Sequence, residues 1–460
     1  MFKITYQDQY RDRFLKSGPI HFSDGSVVTP GEIWEYLTTT APRKYPYAFE
    51  SNVFFGSTAS NDVLLPSALK NTYLNLTLSE RLDKLKAGGG HVAFIQGGQA
   101  VDPYTAAGFV ALRPALVGNW NRGRSNGRSV AAEELGRKTD KERGYKNISF
   151  EACNTAGYEF IHEGDLPIDV VAPFSALRCS DISYSLEAHR HGRRKTEVPL
   201  FLADYPLRHQ SKKEWAVEYF AENLRKMVKQ FDRISGRTTT EKELSGAIKF
   251  HNKGRLLAYE LADVWWNAKL PPTNGLDRSA LFTMGLLEMH GDPIATLDVL
   301  SEALELVKER VQNSVKAPGV SDDPKRLFVC GSCIHLDEYY VEENGGIVVG
   351  SDNGWSQCCA FVEEEGDPFY NLAKATLSYS YEQSIEERVA WTVEQIRKSR
   401  TDGMVFLYNW GCNTQSAIAR PIADSVKTRA GIPTMVMENE LIGLKPEQQL
   451  NRVAAFIEML

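Results

Sequence analysis

Short apolar runs that end at a glycine or a turn recur in two parts of this chain, and helical segments separate them. Such a run is typical of a buried strand, and strands that alternate with helices favour a parallel α/β sheet. The chain is therefore predicted to contain two α/β units. The runs are residues 91–98, 168–174 and 198–206 in the first unit, and 325–329, 345–352, 403–408 and 432–440 in the second.

A helical block is predicted between the two units. Residues 215–231, 241–269 and 295–315 carry apolar residues at helical spacing and show no strand pattern. A further helix at 76–86 stops at the glycines that begin with Gly88. The predicted division is a partly helical N-terminal extension at 1–87, a first α/β domain at 88–206, the helical block at 207–322 and a second α/β domain at 323–460.

Composition and charge narrow the class of protein. The 460 residues are 42% hydrophobic and 24% charged, which is the balance of an ordinary globular protein. The net charge of −6 gives no basic excess for nucleic acid to bind, so none is expected as a partner. The first residues are charged and form no secretory signal, and no apolar run reaches the roughly 20 residues that span a bilayer. A cytoplasmic location without membrane association is expected.

The chain has seven cysteines, at positions 153, 179, 330, 333, 358, 359 and 412. An odd number in a long chain without an export signal argues against a disulfide framework and favours reduced thiols or metal ligands.

Three cysteines lie at or after predicted strand ends, where open α/β sheets bind ligands. Cys179 follows the strand at 168–174, Cys412 follows the strand at 403–408, and Cys330 lies at the end of the strand at 325–329, directly after its last residue. Cys153 lies at a predicted helix start, where a thiolate is favoured. The spacing is longer than in a ferredoxin-like run, and cysteine is also a common small core residue. Spacing alone therefore leaves both a shared metal site and inert thiols open.

Four segments carry a more specific pattern. They are AFIQGGQAVDPYTAAG, then DLPIDVVAPFSALRCSD with VPLFLADYP, then KRLFVCGSCIHLDEYYVEENGGIVVGSD, and the C-terminal run from SIEERVAWTV to GIPTMVMENE. The last combines a strand, a single cysteine, a helix, GIPT and an acidic strand end. In these segments the chain resembles the 2-hydroxyacyl-CoA dehydratase family, which includes the benzoyl-CoA reductase subunits.

The resemblance implies two flavodoxin-like α/β domains with a helical portion. It further implies a [4Fe–4S] cluster on Cys153, Cys179 and Cys412, with one iron left open as a Lewis acid. A homologous second subunit, as a hetero- or homodimer, and an ATP-hydrolysing activator protein that delivers one electron at low potential are the implied partners. The implied reaction is the dehydration of a 2-hydroxyacyl-CoA or the reduction of an aryl-CoA.

The candidate catalytic residues, Gln96 and Asp102, lie in the turn after the first strand. Gln96 can donate a hydrogen bond to an acyl carbonyl, and a solvated loop glutamine is the alternative. Asp102 is the candidate acid or base, and it is also predicted to cap a short helix that has Pro103 in its first turn. The family usually has Pro-Glu in this turn, so the acid–base role of Asp102 rests on an imperfect match.

Two other functions remain open. Relatives of the family carry an [8Fe–9S] double-cubane cluster and reduce small molecules, and the extra cysteines Cys330, Cys333, Cys358 and Cys359 are its candidate ligands here. A cysteine pair that those relatives have is absent at 379–384. The third possibility is a non-catalytic partner subunit of a heterodimer.

Overall fold

Two parallel β-sheets and a block of long helices build the chain in its computed structural model, and the predicted α/β class is confirmed. The structure describes residues 8–44, 62, 64–95, 100–112, 167–172, 198–201, 204–284, 291–331, 336, 338–352, 360–409, 412–439 and 447–460.

The N-terminal extension holds short helices and a small antiparallel hairpin before one long helix. Its elements are α1 (Asp8–Phe14), β1 (Ile20–His21), β2 (Val27–Val28), α2 (Pro30–Glu35), a π-helical turn (Tyr36–Thr40), α3 (Ala41–Lys44) and α4 (Pro66–Ala87). Helix α4 starts ten residues before the predicted helix at 76–86.

The first sheet has its first strand in the middle. Its elements are β3 (His91–Ile95), α5 (Asp102–Ala106), β4 (Phe109–Leu112) and β5 (Val170–Ala172), and its strand order is β4-β3-β5. The strand predicted at 198–206 is reduced, within its described residues, to one parallel bridge between Leu200 and Val171. Pro199 has no N–H to donate, so the ladder cannot extend in that direction.

The helical block is confirmed, with helices close to the predicted bounds. They are α6 (Glu214–Ser235), α7 (Glu241–Asn267), α8 (Gly275–Met284) and α9 (Pro293–Gln312). Thr240 and Glu243 form a capping box at the start of α7. Helix α9 also holds the N-terminal extension, because Lys70 of α4 lies 2.7 Å from Glu302.

The second sheet has the strand order β7-β6-β8-β9, with all pairs parallel. One face packs on α12 and α13, and the other packs on α10 and α14. The elements are β6 (Lys325–Gly331), α10 (Glu338–Glu343), β7 (Gly346–Ser351), α11 (Pro368–Leu377), α12 (Ile385–Lys398), β8 (Gly403–Asn409), α13 (Asn413–Ala430), β9 (Thr434–Asn439) and α14 (Glu447–Glu458). With the bridge at Leu200 included, both sheets follow the same winding order, in which the first strand lies between the second and the third.

Helix α11 joins the core of the first unit, although it follows β7 in the chain. Phe369, Leu372 and Leu377 pack in one apolar cluster with Ile95 of β3 and Phe220 of α6. The chain then returns to the second sheet through a 3-10 turn at Ser380–Glu382. The segment therefore links the two α/β units through their cores.

Candidate functional site

Cys412 lies at the switch point of the second sheet. Strand β6 lies between β7 and β8, and the helices that follow β6 and β8 pack on opposite faces of the sheet. Ligands of open α/β sheets bind at the carboxyl ends of strands at such a point. Cys412 follows β8 and is the half-buried N-cap residue of α13. Its carbonyl accepts from the backbone N–H groups of Gln415 (3.2 Å) and Ser416 (3.0 Å). The positive end of the helix dipole favours the thiolate form at this position.

The other two predicted cluster ligands, Cys153 and Cys179, lie outside the described residues, as do Gln96, Cys333, Cys358 and Cys359. Cys179 nevertheless follows β5, the third strand of the first sheet, just as Cys412 follows β8, the third strand of the second. The two cysteines therefore come after equivalent strands.

Cys330 points into the core instead of the sheet edge. Strand β6 continues to Gly331, two residues past the predicted end at 329. The Cys330 Sγ lies 3.3 Å from Met404 Sδ in an apolar cluster. Burial, with the nearby carboxylate of Asp352, raises the pKa of the Cys330 thiol well above its usual value. Because metals bind the thiolate, this thiol is a poor ligand.

A buried ion pair lies at the same carboxyl edge, and the sequence did not reveal it. The Nε and Nη2 atoms of Arg388, in the first turn of α12, lie 2.7 and 2.5 Å from Asp352 Oδ2. The Gly331 N–H donates to Asp352 Oδ1 at 2.9 Å, and the Tyr381 hydroxyl donates to the Gly331 carbonyl at 2.5 Å. Gly331 has φ +111°, and an added Cβ would lie 2.2 Å from the Leu407 carbonyl, so only glycine fits. An acidic residue at the end of β7 was the one available signal.

Gln415 completes this network. Its side chain is fully buried in the first turn of α13, and its Oε1 accepts from Arg388 Nη1 at 3.0 Å. Its Nε2 has no hydrogen-bond partner in the part of the chain that the structure describes. A buried donor without an acceptor is uncommon in folded proteins and calls for an explanation.

Asp102 does not cap α5, because Val101 is the N-cap residue and Asp102 is the first helical residue. The Asp102 carboxylate is completely buried, with Arg255 Nη2 2.7 Å from Oδ2 and His251 Nδ1 3.2 Å from Oδ1. Burial acts to raise the pKa of Asp102, but the adjacent Arg255 guanidinium and the hydrogen bonds of Arg255 and His251 outweigh it and hold the pKa well below its usual range. Asp102 is thus an ionised carboxylate that both partners fix in place.

The partners of Asp102 extend this contact into α7. His251 Nε2 lies 3.3 Å from Thr105 Oγ1, and Arg255 Nη1 donates to Asn252 Oδ1 at 2.9 Å. Asn252 also donates to the Val362 carbonyl at 2.8 Å and accepts from the Val362 N–H at 3.2 Å. One part of α7 therefore holds both α5 and the segment that leads into α11.

Within the described ranges, no three Cys, His, Asp or Glu side chains gather as a group that could hold a metal ion. Nor does any helix in those ranges have the length and apolarity that crossing a bilayer requires.

The strand order and the cysteine at the switch point define a flavodoxin-like α/β protein with a thiol at its ligand-binding edge. The family described as "2-hydroxyglutaryl-CoA dehydratase, D-component" matches residues 136–460, which is more than half of the chain, and the chain belongs to that family. The protein named "Putative dehydratase subunit YjiM" of Escherichia coli (strain K12) is 32% identical over 127 residues, which are 26% of this chain and 32% of that protein. The alignment thus spans about a third of this relative's length.

Proposed function

We propose that this chain is the iron–sulfur subunit of an activator-dependent 2-hydroxyacyl-CoA dehydratase or of a benzoyl-CoA reductase-like enzyme. Cys153, Cys179 and Cys412 are the proposed ligands of one [4Fe–4S] cluster. The single observation that carries the proposal is the place of Cys412, at the N-terminus of a helix and at the switch point of a sheet in a chain of the dehydratase family.

The residues around Cys412 fit such a group. Its thiol is half-buried at a helix N-terminus, and the buried Gln415 offers an unused N–H donor three residues along the chain. When bound, a cluster with three thiolate ligands supplies one-electron reduction and an open iron for a substrate oxygen. The chain's own contribution is to hold the thiolates and to keep the Cys412 end of the site partly shielded from water.

The burial of Cys330 supports one cluster over a double cubane. A larger cluster draws on the cysteines of the second unit, but the Cys330 thiol lies in the core with a raised pKa. We therefore propose that Cys330 is a packing residue. A homologous second subunit, an ATP-hydrolysing activator and an acyl-CoA thioester complete the proposal as partners, since the family description names a component of a dehydratase.

Iron and sulfide analysis of anaerobically purified protein tests this function. We expect about four irons per chain in the wild type, since one cubane holds that number. Cys412→Ser is expected to lose most of this iron, while the matched variant Cys330→Ala keeps it. Full iron in Cys412→Ser would contradict the proposed ligand set.

The same measurement separates the alternative functions. A double cubane gives about eight irons per chain, and a part of them then disappears in Cys330→Ala. A chain without iron in anaerobic preparations, alone and together with its co-purified partner, would instead support a non-catalytic partner subunit.

A further inference from the structure

The orientation of the Gln415 amide is fixed by its neighbour. A guanidinium group only donates hydrogen bonds, so the Gln415 atom that lies 3.0 Å from Arg388 Nη1 is the oxygen. The Nε2 group therefore faces away from Arg388. It is buried and has no acceptor among the described residues.

The Arg388 guanidinium cannot turn to release this amide. Asp352 binds its Nε and Nη2 atoms, and Asp352 itself accepts from the Gly331 N–H. The ring of Tyr381 lies 4.7 Å from the guanidinium carbon, and the Tyr381 hydroxyl is held by the Gly331 carbonyl. Contacts from β6, β7 and the 3-10 turn thus hold the arginine, and the arginine holds the glutamine.

Gln415 lies three residues after the N-cap residue of α13, which is Cys412. In α2, α7 and α12 the residue three places after the N-cap is a glutamate that completes a capping box. In α13 this residue is Gln415, and no side-chain capping bond forms. The Gln415 side chain therefore does not cap the helix; its oxygen binds Arg388 instead, and its Nε2 is left as a buried donor, unpaired within the described part of the chain, in the first turn of the helix that begins at Cys412.

We propose that Gln415 Nε2 donates a hydrogen bond to a sulfur of the iron–sulfur cluster held by Cys412, and that Arg388 and Asp352 position it for this. The inference rests on the proposed function, since it requires a cluster on Cys412. A hydrogen bond to a cluster sulfur stabilises the reduced, more negative state and so raises the reduction potential. Gln415 then contacts the cluster and tunes its potential, and Arg388 is the positioning residue that holds Gln415.

A redox titration monitored by electron paramagnetic resonance on the anaerobic holoprotein tests this role. We expect Gln415→Leu to keep its iron and to make reduction about tenfold less favourable, which is a potential lower by about 59 mV for one electron. Gln415→Glu keeps an acceptor for Arg388 and replaces the donor by an oxygen, so we expect at least the same decrease. This second variant carries the test if the leucine variant does not fold.

Gln395→Leu is the matched control, because Gln395 is another buried glutamine and lies seven residues beyond Arg388 in α12. Its potential is expected to equal that of the wild type. An unchanged potential in iron-loaded Gln415→Leu or Gln415→Glu would overturn this inference and leave the proposed function intact. Wild-type protein without iron would instead remove the proposed function itself.

Discussion

Asp102 is ionised although it has no contact with water, and two residues of α7 are the reason. A buried carboxylate without partners would become protonated, but Arg255 supplies a compensating positive charge, and the His251 ring lies 3.2 Å from the second carboxylate oxygen. In this arrangement the carboxylate connects α5 to α7. Its role as a catalytic acid or base stays a prediction, and the geometry gives it a structural role in any case.

Asp102→Asn is expected to lower the free energy of unfolding by about 3–5 kcal/mol, because it leaves the buried Arg255 guanidinium without its counter-charge. Urea unfolding at neutral pH measures the change. Asp24→Asn is the control, since the ion pair of Asp24 with Lys84 is exposed and the loss should be small. Equal losses in the two variants would contradict the role given to Asp102.

The stability of the protein should also depend on pH through Asp102. Its pKa is lower in the folded state than the value of about 3.9 in an unfolded chain, so the unfolded state binds the proton more readily as the pH falls. The contribution of Asp102 is complete above that value and is lost as the pH falls through the folded-state pKa. Urea unfolding between about pH 7 and pH 3 should therefore show a steeper loss for the wild type than for Asp102→Asn. Parallel curves would exclude the linkage.

The sequence predicted part of the candidate site. Cys412 follows its strand as expected, because a buried strand and the helix after it are visible as local patterns. Arg388 and Gln415 were not predicted, because their helices look like ordinary charged or polar surface helices in the sequence. Their contact joins elements that are distant in the chain, and only the packing of the sheet brings them together.

At the scale of the element, the start of α12 is important because Arg388 lies in its first turn. Ser384 and Glu387 form a capping box there, with the Ser384 hydroxyl accepting from the Glu387 N–H at 3.3 Å. The capping box satisfies N–H groups that would otherwise lack partners and fixes where the helix begins. Because Arg388 directly follows Glu387, the capping box also determines where Arg388 lies.

Ser384→Ala is expected to cost about 1 kcal/mol of stability, the usual cost of losing an N-cap. Thr240→Ala removes the equivalent capping box of α7 and should cost a similar amount. Chemical denaturation of both variants measures these losses. Only Ser384→Ala is expected to change the potential of a bound cluster, because only α12 carries Arg388; an equal change in Thr240→Ala would argue against this coupling.

Helix α4 shows where pattern reading of elements fails. Its first half is buried on all sides and includes polar residues such as Lys70, Asn71 and Thr72. Amphipathic periodicity requires an exposed face, so a helix that is enclosed on every side loses the signal. Lys70 is tolerated there because its ammonium group pairs with Glu302 and donates to the Gly18 carbonyl. Helices α6 and α7, which keep an exposed face, were in contrast predicted close to their observed bounds.

At the scale of the whole molecule, the two sheets share one winding order, and a cysteine follows the third strand of each. We therefore expect Cys179 and Cys412 to lie close enough for a short bifunctional thiol reagent such as dibromobimane to join them in cluster-free protein. Peptide mapping by mass spectrometry detects the product. Cys330 should not react, because its thiol is buried. A failure to join Cys179 and Cys412, with both thiols shown to be reactive, would contradict a shared cluster.

The path of α11 has a consequence for how the polypeptide can be divided. The chain leaves the second sheet after Asp352, places Phe369 and Leu372 among the apolar residues of the first unit, and comes back at Ser380. If the gene were divided between residues 322 and 323, the first fragment would expose the apolar surface that α11 covers. The second fragment would carry α11 with its apolar face exposed to water. The two halves are thus not expected to fold as independent polypeptides. Complementation of the two fragments would require α11 of the second to pack into the core of the first.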